Sequence, residues 1–397
     1  MLASSTVRRL TSIDLFAGAG GLALGLEAAG FAHVALVEWD ANACRSLRAN
    51  AGTSAGWRAD HIHETDVAEF DFGSLPNDID LLAGGVPCQP FSLGGVHKGS
   101  DDQRNLFPTF LEAVRLCGPR VVLIENVPGL LRPDFRPYFD YVCSQLSLPY
   151  ITRRRGEQWT DHAERLRRTR RVVDPVERYL VEWRPLNAAN YGVPQRRERV
   201  FIQAVREDVA ASCSWPKPSH SASLLAQVLM DGSYAREHGL QSDCRPDLDG
   251  DLDLLPFAGF ETARWRTVRD AIRGLPDARS LFDDGPVPNH VQWPGARVYP
   301  GHTGSTLDAP AKTLKAGVHG VPGGEGVVVL DDGSVRYLTV REAARIQTFP
   351  DNYRFEGSRS ECMRQIGNAV PVKLAESLGR TLMRTLGVAQ RELVAAQ

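Results

Sequence analysis

A cysteine in an angular loop is the first candidate for chemistry in this chain. Residues 84–92 read G-G-V-P-C-Q-P-F-S and follow an apolar run, Ile79 to Ala83. Two glycines and two prolines around Cys88 disfavour further strand or helix, so we interpret this stretch as a strand-to-loop transition that presents the thiol. Free cysteines are more often buried than reactive, and the loop alone favours a structural cysteine over a nucleophile.

Polar side chains follow other apolar runs in the same way. Glu125 ends one such run, and Asp66 lies near the end of another. Ligands of a parallel sheet bind at the carboxyl ends of its strands, so we expect Asp66, Cys88 and Glu125 to converge. Three polar groups at one edge of a sheet predict a site.

Arginines are concentrated in two places. Gln195, Arg197 and Arg199 alternate along an extended stretch and should face one way, either as a cationic group of a site or as a charged strand edge. Residues 153–178 hold more arginines than acids and predict an inserted helical hairpin or loop. That insert is either a solvated charged face or a contact to phosphate, and the sequence leaves both open.

A glycine-rich turn near the start predicts a nucleotide site. The apolar run of residues 12–16 ends in A-G-A-G-G, and Gly18, Gly20 and Ala23 satisfy G-x-G-x-x-A. Glu38 ends the next apolar run, at the spacing of a ribose-binding acid. The pattern favours an adenosine-containing ligand over a tight turn that merely needs glycine.

These groups must be positioned by an α/β fold. Strands are predicted at 12–16, 33–37, 61–67, 79–83, 121–125, 179–186 and 199–205. With helices between several of them, they predict a doubly wound, mostly parallel, Rossmann-like sheet. We expect a first domain of residues 1–207 plus 364–397, a smaller irregular domain of 208–339 and a hinge at 340–363, where T-V-R-E is a capping box. Residues 367–371 lead into a final helix at 372–386, with Pro371 at its start.

Composition sets outer bounds. Of 397 residues, 43% are hydrophobic and 24% charged, which is typical of a globular protein. The net charge of -2 gives no global attraction to nucleic acid, so a nucleic-acid surface would have to be a local basic patch. The seven cysteines form no C-x-x-C pair, and His61 and His63 have no third ligand nearby, so no disulfide framework and no metal site is expected. Without a long apolar segment or a secretory signal, we expect a cytoplasmic protein.

The order of the motifs resembles the family of cytosine carbon-5 DNA methyltransferases over nearly the whole chain. The matching segments are D-L-F-A-G-A-G-G-L (14–22), E-W-D (38–40), G-G-V-P-C-Q-P-F-S (84–92), R-N-L-F (104–107), E-N-V (125–127), G-V-P-Q-R-R-E-R (192–199), R-Y-L-T-V-R-E-A-A-R-I-Q-T-F-P (336–350) and Q-I-G-N-A-V-P (365–371). Each is a modest signal, and their order makes them specific. Two features depart from the family: the insert at 153–178 is longer than usual, and only T-D-V (65–67) anchors the third segment.

The resemblance implies catalytic roles. Carbon 5 of cytosine is a poor nucleophile, so Cys88 would first add to carbon 6 and turn the ring into an enamine. Glu125, held protonated in a dry pocket, would act as the acid at ring nitrogen 3, the alternative being a capping or salt-bridged acid. Arg199 would contact the exocyclic oxygen, while Arg197 would order the cysteine loop or meet a phosphate. Asn126 and Gln89 would hold the loop around the thiol.

The resemblance also implies S-adenosylmethionine as methyl donor, with S-adenosylhomocysteine as product. Its predicted contacts are Phe16, Gly18, Gly20, Glu38, Trp39, Asp66, Val67, Pro87, Leu106, Asn368 and Val370. The enzyme would flip its target cytosine out of the DNA duplex, because the active site cannot reach a stacked base. Ser92 begins a glycine-rich loop that would close over DNA, Thr313 would touch a backbone phosphate, and Arg297 and Lys315 are candidate groove contacts of the smaller, recognition domain. A nucleoid-associated monomer is implied, with a restriction endonuclease as a genetic partner.

Three alternatives stay open. A transfer-RNA cytosine methyltransferase would share the catalytic motifs, but C-F-T is absent and a long region separates Arg199 from Thr339. A catalytically silent DNA-binding relative is disfavoured because every chemical position is intact. An NAD-dependent oxidoreductase would explain the glycine turn and Glu38 but not Cys88 or Glu125.

Overall fold

The computed structural model describes residues 9–87, 106–240, 262–278, 287–298, 303–316 and 326–387. Three predicted site residues, Cys88, Gln89 and Ser92, lie outside these ranges. In the described part of the chain, no helix is both long and apolar enough to cross a membrane.

A seven-stranded sheet forms the centre of the fold. Its strands are β1 (Thr11–Leu15), β2 (Ala32–Glu38), β3 (Ile62–Glu64), β4 (Leu81–Gly85), β5 (Val121–Asn126), β6 (Tyr179–Asn187) and β7 (Glu198–Arg206). Their order is β3-β2-β1-β4-β5-β7-β6. The first five are parallel, whereas β7 runs antiparallel to β5 and β6. The mostly parallel sheet is therefore confirmed, and β6 and β7 are its antiparallel edge.

Helices cover both faces of the sheet. They are α1 (Gly21–Ala29), α2 (Ala41–Asn50), α3 (Phe107–Cys117), α4 (Arg136–Ser147), α5 (Trp159–Thr169), α6 (Ala222–Met230), α7 (Ser233–His238), α8 (Val268–Ile272), α9 (Val340–Ile346), α10 (Arg359–Asn368) and α11 (Val372–Thr385). On one face, α3 and α4 bury phenylalanines against the strands. On the other face, α1 and α11 bury leucines. This is the doubly wound arrangement that the alternation of strands and helices predicts.

Helices α1 and α11 approach closely because small residues line their contact. A Cβ added at Gly25 would overlap Ala375 and come within 2.6 Å of the amide nitrogen of Glu376. A Cβ added at Gly379 would lie 2.6 Å from the Cβ of Ala29. Glycine is needed at both positions. Because it has no side chain, α11 can pack directly on α1 of the first βα unit.

The smaller region contains short strands, as predicted. Strands β8 (His220–Ser221) and β9 (Ala263–Arg264) pair with each other, and β10 (Ser305–Thr306), β11 (Val327–Val329) and β12 (Val335–Tyr337) form a three-stranded sheet. The predicted capping box at Thr339 is confirmed, since its side chain and that of Glu342 cap α9 reciprocally. The predicted domain boundaries remain predictions.

Four helices of the described ranges were not predicted: α6, α7 and α8 in the smaller region, and α10 before the last helix. Residues 367 and 368, predicted to lie in the lead-in to the last helix, are instead the end of α10. A second capping box, between Ser358 and Glu361, begins that helix. S-R-S-E (358–361) is the sequence signal for this helix start, whereas the predicted final helix after Pro371 is confirmed as α11.

The arginine-rich insert is partly helical and lies away from the carboxyl ends of the parallel strands. After α5 the chain enters β6 at Tyr179, which pairs with Arg206 at the end of the antiparallel strand β7. Several arginines of the insert pair with acids of the protein itself, at Arg165–Glu157, Arg168–Glu164 and Arg178–Glu207. These ion pairs favour the charged-face interpretation over phosphate contact.

Candidate functional site

The turn after β1 is built for close approach. Phe16, Gly18 and Gly20 all have positive φ, at 55°, 54° and 75°. Gly20 is the N-cap of α1, and a Cβ there would lie 2.8 Å from a methyl carbon of Leu47. Two glycines therefore let the backbone turn directly from strand to helix, where amide groups face the carboxyl edge of the sheet.

Glu38 closes this turn from the neighbouring strand. Its Oε2 accepts a hydrogen bond from the amide of Gly18 at 2.8 Å, and its Oε1 accepts from Trp39 and Asp40 at 3.0 and 2.8 Å. Burial raises the pKa of this carboxyl, and these amide donors oppose the shift. Because each carboxylate oxygen can accept two bonds, Oε2 can still take a ligand hydroxyl.

The surroundings of Glu38 suit a flat, polar ligand. The indole of Trp39 is 76% exposed. The amide of Thr65 donates to the main-chain oxygen of Glu38, which brings Asp66 alongside, exposed and with Oδ1 bonded to the amide of Ala68 at 2.9 Å. Val67, in contrast, is buried in the core beneath.

The remaining predicted donor contacts come from three other segments. Pro87 follows β4, Leu106 is the N-cap of α3, and the carbonyl of Val370 lies against the Cβ position of Gly21. Asn368 is exposed at the end of α10. Of these, Val370 contacts the start of the helix after the glycine turn, and a ligand contact for each residue stays a prediction.

The second part of the site lies at the ends of β4, β5 and β7. Gly85 pairs with Glu125, and a Cβ added at Gly85 would lie 3.4 Å from Oε2 of that carboxyl. Arg199 Nε lies 3.0 Å from Glu125 Oε1. Glu125 thus has a guanidinium partner, as in the salt-bridged alternative, and its role as the acid at ring nitrogen 3 stays a prediction.

Asn126 connects this pair to the cysteine loop. Its side-chain amide is buried and donates to the carbonyl of Val86 at 3.1 Å, while its oxygen accepts from the amide of Val127. Val86 lies two residues before Cys88. The predicted role of Asn126 in holding the loop therefore has a contact on the described side of that loop.

Arg197 is placed differently from its neighbour Arg199. It is 1% exposed and donates to two main-chain carbonyls, Leu314 at 3.0 Å and Gly367 at 2.7 Å. Burial is the main cause that lowers the pKa of its guanidinium, and Arg199 adds to it. A guanidinium enclosed in this way cannot reach a DNA phosphate. The predicted phosphate contact of Arg197 therefore does not fit the structure.

The hydroxyl of Thr313 is also used within the protein. It donates to the carbonyl of Arg196 at 2.7 Å. The hydroxyl proton is thus used within the protein, and the predicted contact of Thr313 to a backbone phosphate stays a prediction. Arg297 and Lys315 are exposed, which is compatible with groove contacts but does not test them.

Asp14 is a buried carboxyl that the sequence motifs did not single out. It lies in β1, is 1% exposed, and neither carboxylate oxygen has a hydrogen-bond partner of good geometry. Burial, with a contribution from Glu38, raises its pKa to about 8. A charged residue type inside the apolar run of residues 12–16 is the signal that could have found it.

One cluster in the described ranges has the composition of a metal site. Ligand atoms of Glu237, His238 and Asp270 lie within 4.8 Å of one another. The guanidinium of Arg264 already binds Asp270 at 2.6 Å and Glu237 at 3.0 Å. A divalent cation would have to displace this arginine, so the cluster is better explained as an ion-pair network.

Comparisons with known proteins agree with this geometry. The family model of C-5 cytosine-specific DNA methylases matches residues 10–148, 160–242 and 289–384. It leaves out the start of the arginine-rich insert. The chain is 34% identical to Type II methyltransferase M.Eco47II of Escherichia coli over 95% of its length and 79% of the relative's. It is 32% identical to Type II methyltransferase M.NgoMIV of Neisseria gonorrhoeae over 95% of its length and 98% of the relative's.

Solved structures show the same fold at low identity. The structure of the S. pombe Dnmt2 methyltransferase matches with a TM-score of 0.55 and 18% identity, and covers 96% of this chain and 100% of the other. A prophage-encoded protein of E. coli, assigned as a DNA modification methyltransferase, matches with a TM-score of 0.57 and 23% identity, over 95% of this chain and 99% of the other.

Proposed function

Because the chain belongs to the C-5 cytosine-specific DNA methylase family and is a DNA cytosine-5 methyltransferase, we propose that Cys88 is its nucleophile and S-adenosylmethionine its methyl donor. One observation carries this proposal: the Glu125–Arg199 pair and the Asn126 contact to Val86 converge where the chain turns toward Cys88. A base placed there would meet an acid and a cation at one edge.

The residues at the turn after β1 fit the proposed donor. Glu38 has an acceptor left for ribose hydroxyls, Trp39 offers an exposed face for adenine, and the turn at Gly18 and Gly20 leaves room for the backbone to approach. Asp66 has a second oxygen for the adenine amino group. When bound, S-adenosylmethionine supplies the methyl group that carbon 5 receives.

The protein groups then act in a fixed order. The thiolate of Cys88 adds to carbon 6 of a flipped cytosine, and the electron pair of the 5,6 double bond makes carbon 5 nucleophilic. Glu125, entering the step as the neutral carboxylic acid, transfers its proton to ring nitrogen 3, and Arg199 stabilises the charge on the exocyclic oxygen. After methylation a base removes the proton from carbon 5, the 5,6 double bond forms again as the Cys88 thiolate leaves, and ring nitrogen 3 returns its proton to Glu125.

The Glu125–Arg199 ion pair indicates how the cytosine edge would be positioned for these steps. Arg199 contacts Glu125, so a bound cytosine would present its nitrogen 3 and oxygen edge to a paired acid and cation. Arg197 acts from behind by holding main-chain segments, and Gln195 does so through the amide of Leu314.

We also propose that the protein acts at the nucleoid as a monomer, with a restriction endonuclease of the same specificity as its genetic partner. The names of the Type II relatives support the genetic partner. A neighbouring endonuclease gene product that cuts only unmethylated DNA would test it.

Labelling tests the proposed chemistry. Purified protein with tritiated S-adenosylmethionine should label duplex DNA and not transfer RNA, and Cys88→Ala or Cys88→Ser should abolish the label. Bisulfite sequencing of DNA from expressing cells would then give the recognition sequence. Labelling of RNA alone, or undiminished labelling by both Cys88 variants, would contradict the proposal.

A further inference from the structure

Three segments that are distant in the chain meet at one buried guanidinium. Arg197 immediately precedes β7 and donates to the carbonyl of Leu314 at 3.0 Å and to that of Gly367 at 2.7 Å. Leu314 belongs to residues 311–316 of the smaller region, and Gly367 to the last turn of α10. A single side chain therefore holds both segments against the catalytic strand.

Residues 311–316 are joined to the start of β7 by further hydrogen bonds. Those between main-chain groups are Ala311 N to Pro194 O at 2.9 Å and Arg196 N to Ala311 O at 2.8 Å. Those that use side chains are Thr313 Oγ1 to Arg196 O at 2.7 Å and Leu314 N to Gln195 Oε1 at 3.0 Å. The 311–316 segment is thus attached to the strand that carries Arg199.

We call the meeting point of Arg197, residues 311–316 and Gly367 the junction. Its other side leads to the glycine turn. A Cβ at Gly367 would lie 2.6 Å from the carbonyl carbon of Lys315 and 2.7 Å from the amide nitrogen of Ala316, so these backbones are in contact. A few residues further on, the chain packs on Gly21, where an added Cβ would overlap the carbonyl of Val370. The residues that close the glycine turn therefore rest on the same junction as the 311–316 segment.

The chemistry of Arg197 favours positioning over catalysis. Its Nη atoms are bonded to main-chain carbonyls, and it is nearly inaccessible to solvent. Main-chain carbonyls from two segments fix a relative position, and a shift of either one would leave a buried donor without its hydrogen-bond acceptor. This makes one arrangement of the junction favoured.

We propose that Arg197 is a positioning residue that couples DNA bound by the smaller region to the methyl donor bound at the glycine turn. DNA that fixes residues 311–316 also fixes the end of α10 beside the donor, so each ligand increases the affinity for the other. The inference rests on the proposed function, since it needs both ligands. Linkage requires the effect to be reciprocal.

The experiment measures binding rather than turnover. The affinity for S-adenosylhomocysteine is measured by calorimetry, alone and with a saturating 30-bp duplex that carries the sequence found by bisulfite sequencing. For the wild type, DNA should tighten binding by about fivefold or more, the lower end of ordinary coupling. In Arg197→Met the ratio should fall to within about twofold of unity.

Two further variants separate coupling from stability. Arg206 lies at the far end of β7, where it binds the carbonyl of Gly118 at 3.0 Å and Asp208 at 2.7 Å, so Arg206→Met is the matched control and should keep the wild-type ratio. Thr313→Val keeps the shape of the junction and removes one hydrogen bond, and should lower the ratio by about twofold or more. If circular dichroism shows that Arg197→Met is unfolded, the ratio measured for Thr313→Val tests the coupling in its place.

The outcomes are distinct. A wild type without coupling, an Arg197→Met variant that keeps it, or equal losses in Arg197→Met and Arg206→Met would each overturn the inference. If Arg197→Met is unfolded, an unchanged ratio in Thr313→Val does the same. Failure of the proposed function would be seen in the wild type alone, as an absence of S-adenosylhomocysteine binding or of methyl transfer.

Discussion

Arg199 Nε lies 3.0 Å from Glu125 Oε1, and their side chains are only 14% and 11% exposed. The two residues come from neighbouring antiparallel strands, β7 and β5. A buried acid and a half-buried cation thus contact one another at the edge of the sheet where we propose that the base binds. Most of the expected chemistry depends on this pair.

Substitution within the pair should affect turnover strongly. Glu125→Gln should lower kcat by about 10²–10⁴-fold, the range for loss of a general acid, and Arg199→Gln by about 10²–10³-fold. The double variant should lose less than the product of the two, because the residues act as a unit. Single-turnover methylation measures each step. Arg48→Gln, which breaks the more exposed Arg48–Glu64 pair, is the control and should leave kcat unchanged. A double variant whose kcat falls by the full product of the two single-variant factors would contradict a joint role of the two residues.

Trp39 should matter for the donor and not for folding. Its indole is 76% exposed, so Trp39→Ala should leave the melting temperature unchanged. Loss of a stacked base, roughly 1–3 kcal/mol, should raise KM for S-adenosylmethionine by about 5–150-fold with kcat little changed. Met230→Ala, at a residue that is 81% exposed, is the control for removal of an exposed apolar side chain. An unchanged KM would remove Trp39 from the site.

The close contact between α1 and α11 should tolerate no side chain. In Gly25→Ala the new methyl group meets Ala375 and the amide of Glu376, and overpacking of this kind costs about 1–3 kcal/mol. Urea denaturation should show that loss, whereas Arg380→Ala on the exposed side of α11 should stay within about 0.5 kcal/mol of wild type. Equal stabilities would show that the helices separate at no cost.

Asp14 should make stability depend on pH. Burial raises its pKa from the ordinary 3.8 to about 8, so the folded state holds a proton that the unfolded state releases. Its stabilising effect is complete below pH 3.8 and is lost as pH rises to about 8, at up to about 1.4 kcal/mol per pH unit.

The comparison with Asp14→Asn isolates this term, because Glu38 titrates in both proteins. The free energy of unfolding of wild type relative to Asp14→Asn should fall between pH 4 and pH 8 and then level off. Parallel curves in urea denaturation across that range would contradict a neutral Asp14 in the folded state.

Much of this arrangement could be predicted because it depends on local patterns. The turn at Gly18 and Gly20, the strand ending at Glu125 and the capping box at Thr339 are each specified by neighbouring residues. The partners of Arg197 and Thr313 could not be predicted, because they come from segments more than 100 residues away and depend on packing. The Glu125–Arg199 contact likewise required the strand order, which alternating polarity does not give.

The central claim, a thiol adduct at carbon 6, is tested most directly with DNA that cannot complete the reaction. In a duplex whose target base is 5-fluorocytosine, carbon 5 carries no proton to remove, and fluorine does not leave as a cation, so the adduct persists after methylation. Wild type with S-adenosylmethionine should form a protein–DNA complex that survives denaturing gel electrophoresis, with the DNA attached at Cys88 by mass spectrometry. A stable complex with Cys88→Ala, or no complex from wild type that still methylates normal duplexes, would contradict the account.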